Sequence, residues 1–489
     1  MAKALARIFW IGCLIPCISL ANGNDGFQPS QDSVTRAASK KYSNMNFFKR
    51  LFLGRNYRKE WAQPVRMPVF NVKTAQGGLT PGELGGGQQT KSLRLKDKNG
   101  QEWVLRTVDK TVDFEQAIKS PLRKTFVKKL VQDMVSASHP YAALTIPELA
   151  KAAKVVAANP KLYFVPNDPA LGEHHAIFAN TVCMLEEREP TPDHSETENT
   201  EKVLEEIMEE NDHLVMQEQV LRARLLDMLV ADWDRHADQW RWGLVDSGDT
   251  KHYYAIPRDR DFAYFHSRGL LVKIMSKVSL QHMRGFTPES KGLKKLNKKT
   301  WFFDHNFLNE LDAGNWKRII AEFQQNISDD VISRAIKRIP PEVYAISGNL
   351  IESKLKTRRD GLMKNAMKYY EELAESVHVM GTDKSDLFRV TNEGDDLSVA
   401  VYDYDGKKKG RMTYQRVFKR SETHEIFLEG FGDDDHFEIE EGVDSKIRLM
   451  VNGGNGKDSL TNRGKIREKL NGIETEGDKT ALSKNDRKK

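Results

Sequence analysis

The stretch of residues 225–265 constrains the fold most, because its character changes three times within a short span. It begins as an apolar run with helical spacing that ends at Ala231. A dense polar run follows, namely Asp232, Asp234, Arg235, His236, Asp238 and Gln239. After a Gly-containing turn, residues 252–256 alternate as a strand does and lead to Asp259 and Asp261. The pattern predicts a buried helix and a strand that bring two sets of carboxylates together.

Convergent carboxylates suit phosphoryl transfer, in which catalysis is mostly positioning and neutralisation of charge. One Asp then orients the acceptor hydroxyl, and others hold a divalent metal on the phosphates. A structural interpretation stays open beside this one, in which an Arg-Asp network closes the base of a helical domain. Four arginines are near enough in sequence to neutralise the acids, namely Arg235, Arg241, Arg258 and Arg260.

The motif Asp234-Arg235-His236, followed by an amide and then by a strand ending in Asp, resembles the catalytic and metal-binding loops of atypical protein-kinase-like enzymes. These enzymes are the HipA-type kinases, the secretory-pathway kinases and the type II phosphatidylinositol kinases. The resemblance implies that Asp234 is the catalytic Asp, with Arg235 and His236 beside it. It implies ligands for Mg²⁺ or Mn²⁺ at three positions, namely Asp259, Gln239 and, in reserve, Asp261. Gln239 stands where the family has Asn. Its extra methylene moves the amide group that would bind a second metal ion.

A Gly-rich stretch at residues 77–87 precedes two strand-like runs, 92–95 and 103–108, that an Asn-Gly turn joins into a predicted hairpin. A Gly-rich loop that opens a hairpin can lay backbone N–H groups over phosphates. The kinase resemblance implies that this loop binds ATP, or another nucleoside triphosphate, through Gly85, Gly86, Gly87 and Gln88.

The kinase pattern also places a phosphate-anchoring cation on the second strand of the hairpin, where this sequence has Arg106, with Lys110 next in reach. Arg is not equivalent to Lys there, because a planar fork replaces a point charge. Either Arg106 holds the phosphates bidentately or catalysis is impaired. Asp133, on a helix predicted at residues 123–136, is either the acidic partner of the anchoring cation or a solvated residue.

The remaining patterns predict an α+β protein with a bilobal kinase-like domain and a small β-rich domain, β-roll-like in part. Strands at residues 162–165 and 176–184 lead into Leu185-Glu186-Glu187, which the resemblance makes the adenine-binding hinge. The predicted units are a signal peptide (1–21), a flexible linker (22–45), an N-lobe-like region (46–190), a helical C-lobe-like region (191–385), a β-rich domain (386–460) and a disordered tail (461–489).

Within the β-rich domain, residues 453–461 fit the nine-residue calcium-binding β-roll repeat, and residues 430–435 fit it partly. In that motif Gly permits tight turns while Asp carboxylates bind a hard cation. The match predicts Ca²⁺ at Asp434 and Asp458. Two copies are fewer than the roughly three repeats that a solenoid needs, so ordinary Gly-Asp turns are the alternative.

The N-terminus reads as a signal peptide, because Lys3 and Arg7 precede an apolar run that ends in Ser19-Leu20-Ala21. We therefore expect a secreted or periplasmic protein of the cell envelope. The run is shorter than the roughly 18 residues of a spanning helix, and we expect no transmembrane helix in the mature chain. The net charge of +6, from 76 basic and 70 acidic residues, indicates no nucleic-acid partner by itself.

Phe and Leu alternate with Lys and Arg in residues 46–59. Such a segment forms either a helix that packs on its own domain, which we favour, or one that lies on an anionic membrane surface. Five lysines at residues 291–299 form a second basic stretch, which is either near a substrate entrance or simply a solvated face.

Residues 46–460 as a whole are similar to a region of larger bacterial cell-envelope proteins, where it often lies between a metallophosphoesterase domain and an outer-membrane β-barrel. Four motifs carry this resemblance, at residues 57–61, 85–95, 138–143 and 232–236. We therefore expect an exported kinase-like phosphotransferase that moves a nucleotide phosphate to a hydroxyl acceptor. The competing hypothesis is a non-catalytic envelope scaffold that keeps the lobes and binds an envelope protein partner.

Overall fold

A computed structural model of the 489-residue chain describes residues 33–43, 46–85, 90–110, 132–267, 269–278, 281, 283, 285–290 and 292–475. The predicted signal peptide, three residues of the Gly-rich loop (Gly86, Gly87 and Gln88) and most of the helix predicted at residues 123–136 lie outside this part.

A five-stranded antiparallel sheet forms the N-lobe. Ahead of it, β1 (Ser33–Ala37) pairs with β2 (Pro64–Pro68), on either side of α1 (Phe47–Leu53) and α2 (Arg58–Ala62). The sheet has the order β3-β4-β5-β7-β6, with β3 (Leu79–Gly85), β4 (Ser92–Asp97), β5 (Glu102–Thr107), β6 (Lys161–Val165) and β7 (Thr181–Glu187). The predicted hairpin is confirmed as β4 and β5, whose inward residues Leu93, Leu95 and Leu105 enter a separate apolar core.

Helix α3 (Ile146–Ala152) carries Pro147 in its first turn, where the missing N–H of proline is not needed. One local prediction in this lobe differs from the structure. A strand was expected at residues 176–184, whereas α4 (His175–Phe178) occupies its first part and β7 begins at Thr181.

Helix α6 (Gln217–Val230) is the centre of the C-lobe. Its side chains are buried from Val220 onwards on almost every face, as expected of a helix surrounded by others. The helix ends at Ala231, whose φ of 56° turns the chain out of the helix. Beside it lies the sheet β8-β10-β11-β9, formed by β8 (Glu198–Asn199), β9 (His213–Val215), β10 (Trp240–Asp246) and β11 (Lys251–Pro257), with α5 (Thr200–Glu209) between β8 and β9.

Within the predicted C-lobe-like region, residues 267–375 are mostly helical where the structure describes them. The described helices there are α7 (Leu270–Val278), α8 (Leu293–Leu296), α9 (Trp301–Phe307), α10 (Ala313–Asn326), α11 (Asp329–Ile336), α12 (Pro341–Val343), α13 (Asn349–Asp360) and α14 (Leu362–Ala374). Their apolar faces join α6 in one large core that contains Trp316, Ile320 and Tyr369. Among the described helices, none combines the length and apolar character needed to cross a bilayer.

The β-rich domain has its own apolar core between two sheets. Its strands are β12 (Ser376–Met380), β13 (Asp386–Glu393), β14 (Asp396–Tyr404), β15 (Lys409–Phe418), β16 (Glu425–Glu429), β17 (His436–Ile439), β18 (Asp444–Asn452), β19 (Ser459–Asn462), β20 (Lys465–Asn471) and β21 (Glu474–Thr475). Parallel ladders β12-β16-β18-β20 and β13-β17-β19-β21 stack successive coils of the chain as a β-roll does. Strands therefore continue to Thr475, beyond the expected end at residue 460.

The fold class predicted from the sequence is confirmed. The chain is α+β, with a bilobal kinase-like domain in which a sheet-based N-lobe precedes a helical C-lobe, and a separate β-rich region follows.

Candidate active site

Two cations of the N-lobe meet two carboxylates of the C-lobe between the lobes. Arg106, near the end of β5, lies with Nη1 3.1 Å from Oδ2 of Asp259, in the loop after β11. Lys110 lies with Nζ 3.0 Å from Oδ2 of Asp261 in the same loop. The structure thus brings together four of the residues that the kinase resemblance assigned to nucleotide and metal.

The N-lobe sheet lines up three of its strands behind this contact. Gly85 pairs with Ser92, Ser92 with Arg106 and Arg106 with Met184, so the last residue of β3 shares a row with the anchoring cation. Arg106 also lies 3.4 Å from Oε1 of Glu186, at the hinge end of β7. Sequence reasoning used only the backbone of Glu186, although its position on the strand beside β5 places its carboxylate near Arg106.

The electrostatics of the carboxylate pair are strongly asymmetric. Burial alone would raise the pKa of Asp259, but the Arg106 and Lys110 charges lower it well below its usual range. Burial and the adjacent Asp259 charge raise the pKa of Asp261 instead. The charged form is therefore favoured at Asp259 and disfavoured at Asp261. A cation placed beside the pair would favour the charged form of both carboxyls.

Asp234 lies on the loop after α6 and pairs with Lys299, which also lies over the ring of Trp233. Gln239 approaches the ring of His236, at 3.4 Å between the two Nε2 atoms. The backbone N–H of Arg258 donates to the Gln239 carbonyl at 2.9 Å, so the loop after α6 and the loop after β11 run side by side.

Arg235 does not reach the surface of the site. Its guanidinium is buried, donates to the carbonyl of Gln239 at 2.9 Å and to that of Arg258, and lies 4.8 Å from the centre of the Trp240 ring. We therefore assign Arg235 to positioning the two loops rather than to contact with substrate.

Asp133 takes neither of the roles expected for it. It forms a buried ion pair with Arg58 of α2, with Nη1 and Oδ1 3.0 Å apart, and so it is neither solvated nor paired with Arg106. The two residues are 75 positions apart, and no local pattern connects them.

The Arg-Asp network that we weighed as an alternative exists, but one layer deeper. Asp227 of α6 pairs with Arg224 and Arg260, and Nε of Arg224 lies 2.7 Å from Oδ1 of Asp304. All four side chains are buried. The network therefore uses acids that we had not singled out. A signal for it was present in the i, i+3 spacing of Arg224 and Asp227, on one side of a helix.

Asp232 belongs to the same layer. It lies 3.6 Å from Arg260 and 3.9 Å from Arg235. Burial raises its pKa to about 7, with the Arg235 charge opposing and the Asp234 charge adding to the rise.

The residues present can accept a divalent metal, although no cluster of three or more His, Cys, Asp or Glu side chains suited to a metal ion occurs within the described residues. Mg²⁺ commonly needs only one or two carboxylates, with phosphate oxygens and water completing its shell. Oδ1 of Asp259 is buried and accepts no hydrogen bond from the residues that the structure describes, so one ligand oxygen is available.

A cavity lies on the hinge side of Asp259. Its lining includes the hinge residues Glu186 and Glu187, the apolar side chains of Ala143 and Ile146, and Arg258.

The turns of the β-rich domain change the assignment of the predicted calcium ligands. Asp434 is exposed and accepts from the backbone N–H of Lys457 at 2.8 Å, while its neighbour Asp435 occupies the position equivalent to Asp458. A third turn, which starts at Gly381, was missed because it shares with the others only its first Gly and its last residue, Asp386.

The three last residues of these turns form a column that we call the Asp ladder, namely Asp386, Asp435 and Asp458. The Asp386 N–H donates to Oδ1 of Asp435 at 2.8 Å, and the Asp435 N–H donates to Oδ1 of Asp458 at 3.0 Å. Each has one buried carboxylate oxygen without a hydrogen-bond partner. Burial raises the pKa of Asp386 to about 6 and that of Asp435 to about 9.

No protein-family profile matches the sequence, and no curated protein is significantly similar to it. Two solved structures are similar to the chain at 12% sequence identity. The proinflammatory kinase CtkA of Helicobacter pylori has a TM-score of 0.32, with 60% of this chain and 96% of that chain covered. The Rio2 kinase of Chaetomium thermophilum, in complex with ADP, Mg²⁺ and phosphoaspartate, has a TM-score of 0.28, with 60% and 74% covered.

Proposed function

We propose that the chain is an exported kinase-like phosphotransferase, which transfers the terminal phosphate of a nucleotide to a hydroxyl acceptor. The convergence of Arg106 and Lys110 from the N-lobe with Asp259 and Asp261 from the C-lobe carries the proposal. Cations for phosphates and carboxylates for metal then meet where the two lobes face each other, which is the set of groups that phosphoryl transfer needs. The signal-like N-terminus supports the export part of the proposal.

Each residue has a separate task in this proposal. Arg106 and Lys110 bind the phosphate oxygens, with Arg106 offering a planar fork. Asp234, on the loop beside them, accepts the proton of the acceptor hydroxyl and orients it, as the catalytic Asp of a kinase does. Arg235 keeps the catalytic and metal loops in register through their carbonyls.

The cleft also accounts for the cofactor that the resemblance implies. Asp259 and Gln239 would hold Mg²⁺ or Mn²⁺, with Asp261 in reserve, and the free oxygen of Asp259 supports this assignment. The metal, when bound, neutralises charge on the phosphoryl group in transfer. Glu186 competes with the phosphates for Arg106 and keeps that side chain in place while the cleft holds no nucleotide.

A thermal-shift experiment on the purified chain with ATP and Mg²⁺ tests the proposal. A ligand at 100 times its Kd adds about 2.7 kcal/mol to the free energy of unfolding, which raises the melting temperature measurably. We expect the rise to require both ATP and the metal, and to be absent with AMP. No shift with any nucleoside triphosphate, at any metal concentration, would contradict nucleotide binding.

One observation favours the alternative, a non-catalytic envelope scaffold. Lys299, Arg106 and Lys110 each neutralise one candidate acid, so every predicted catalytic or metal-binding carboxylate is paired. A closed set of ion pairs is stable without nucleotide. In that case the lobes bind an envelope protein partner, and the thermal-shift experiment with nucleotide and metal gives no rise.

A further inference from the structure

The surface formed by α1 and α7 exposes large apolar side chains. The helices approach closely at Gly269, where a Cβ atom would collide with the backbone of Phe52 and Leu53. The packing nevertheless leaves Phe47 at 73% and Phe48 at 68% exposure. Four further residues on the two helices are between 43% and 53% exposed, namely Leu51, Phe52, Leu270 and Ile274. Together we call these six residues the aromatic patch.

The chain around the aromatic patch is strongly basic. Residues 46–55 and 266–299 together contain 12 basic residues and 1 acidic residue, Glu289. The totals for the chain are 76 and 70, so the remainder holds 64 basic and 69 acidic residues and is slightly acidic. The excess positive charge of the protein therefore belongs to these two segments, which the contact of α1 with α7 brings together.

Basic side chains next to the patch face solvent. Arg50 of α1, Arg55 shortly after that helix and Lys277 of α7 are exposed. No acid in the described part of the chain forms a salt bridge with any of them. Basic side chains around an apolar helix face are the composition of helices that lie in a membrane interface.

We propose that the aromatic patch docks the protein on an anionic lipid surface. The free energy falls when Phe and Leu side chains enter the boundary between headgroups and acyl chains. The surrounding cations then contact anionic headgroups. A nucleic acid would attract the cations but would leave the apolar helix face in water. A second copy would cover the apolar face but would oppose two strongly positive surfaces.

Helix α7 of the patch also adjoins the end of α6, from which the loop that carries Asp234 starts. The basic segment ends at Lys299, which pairs with Asp234, and its residues Val272 and Leu293 line one cavity with Ala231 at the end of α6. The docking itself does not depend on phosphotransfer, because it is measured without nucleotide.

Vesicle co-sedimentation tests the proposal. The exported protein, with its N-terminus verified, is mixed with vesicles of phosphatidylcholine alone or with a third of phosphatidylglycerol. We expect at least tenfold tighter binding to the anionic vesicles than to the neutral ones. We also expect binding to the anionic vesicles to weaken as the salt concentration rises. Equal binding to both kinds of vesicle, or binding to neither, would overturn the proposal.

The double variant Phe47→Ser/Phe48→Ser tests the apolar contribution. We expect at least a tenfold loss of binding to anionic vesicles, with an unchanged melting temperature because both rings are exposed. The matched control is Leu244→Ser/Val245→Ser, an adjacent apolar pair at 41% and 49% exposure on β10. All chains share one N-terminus, so any residual contribution of the apolar run at residues 8–20 is the same in each.

The variant Arg50→Glu/Lys277→Glu tests the charge contribution, with Lys446→Glu/Lys465→Glu in the β-rich domain as its control. We expect the first pair to abolish the preference for anionic vesicles and the second to preserve it. An effect of equal size in patch and control variants would overturn the proposal. So would a dimer in sedimentation velocity that Phe47→Ser/Phe48→Ser dissociates while vesicle binding stays the same. Binding to duplex DNA that is as tight as to anionic vesicles, and unaffected by the Phe variants, would overturn it as well.

Discussion

Asp234 and Asp259 lie on different loops and pair with different cations, so the proposed function gives them separable phenotypes. Asp259→Asn removes a negative metal ligand and should abolish metal-dependent nucleotide binding together with turnover. Asp234→Asn should preserve nucleotide binding and slow the chemical step by roughly 10²- to 10⁴-fold, the usual range for a positioned acid or base. Calorimetric titration with ATP and Mg²⁺, followed by single-turnover kinetics, measures both effects.

The scaffold alternative expects a different pattern. Both variants would then lose stability, because Lys299 would lose its acidic partner and Arg106 would keep only Glu186. Neither variant would change nucleotide binding, because there is none to change. Melting temperatures of the wild type and both variants distinguish the two hypotheses. Loss of nucleotide binding in Asp234→Asn alone would contradict the division of tasks between the two carboxylates.

Asp227 belongs to the deeper network and should affect stability only. Asp227→Asn leaves Arg224 and Arg260 buried with too little negative charge, and we expect a loss of about 3–5 kcal/mol in the free energy of unfolding. Chemical denaturation measures it. The control is Glu83→Gln, which breaks an exposed pair with Arg94 and should leave stability nearly unchanged. If Asp227→Asn folded with wild-type stability but bound no nucleotide, the separation into two layers would be wrong.

At the scale of single elements, the Asp ladder should make the β-rich domain sensitive to pH. The pKa of Asp435 is about 9 in the folded chain, above the roughly 3.9 of an unfolded Asp. At this group the folded state therefore binds more protons, so the stability that Asp435 contributes is fully present below pH 4 and is lost as the pH rises through 9. We expect the unfolding transition of this domain, followed by calorimetry, to move to lower temperature between pH 5 and pH 9.

Asp435→Asn keeps the acceptor oxygen and removes the charge, so it should flatten this dependence. The matched control is Asp434→Asn, which alters the exposed neighbouring carboxylate and should preserve the dependence. A variant at Asp435 with the same slope as the wild type would contradict the ladder. Repeating the pH 8 measurement with Ca²⁺ and with chelator tests the calcium hypothesis, which requires a rise in the wild type that Asp435→Asn lacks.

For the whole molecule, the prediction concerns the N-terminus. We expect cleavage after Ala21, so that the exported chain starts at Asn22. N-terminal sequencing of material from the cell envelope checks this. An intact Met1 on protein from the cytoplasm would contradict export, and with it the compartment in which both the kinase-like and the scaffold hypotheses place the chain.

The sequence predicted those features of the molecule that depend on near neighbours. The alternation of residues around Asn99-Gly100 identified the β4-β5 hairpin, and the order of motifs along the chain placed Arg106 and Asp259 on facing lobes. Periodicity also indicated the helical C-lobe and the strands after Asp386. These patterns depend on residues close together in the sequence, and tertiary packing did not change the secondary structure that they predict.

Contacts between distant residues were not accessible in this way. Nothing in the sequence indicates that Asp133 pairs with Arg58, or that Lys299 reaches Asp234 across 65 positions. The choice between Asp434 and Asp435 depended on the register of stacked turns, in which a shift of one residue moves a carboxylate from the interior to solvent. The aromatic patch could not be predicted either, because it consists of the side chains that remain exposed after α1 and α7 pack together.

The backbone at Asp259 narrows what evolution can place there. Its φ is 53°, a left-handed conformation that Gly, Asn and Asp adopt readily and that most other residues adopt only under strain. If the proposed phosphotransfer is correct, a lineage that lost the activity but retained this loop would drift to Asn or Gly at position 259 rather than to any residue type. Finding those two residues, with Arg106 lost in the same chains, would mark inactive descendants of an active ancestor.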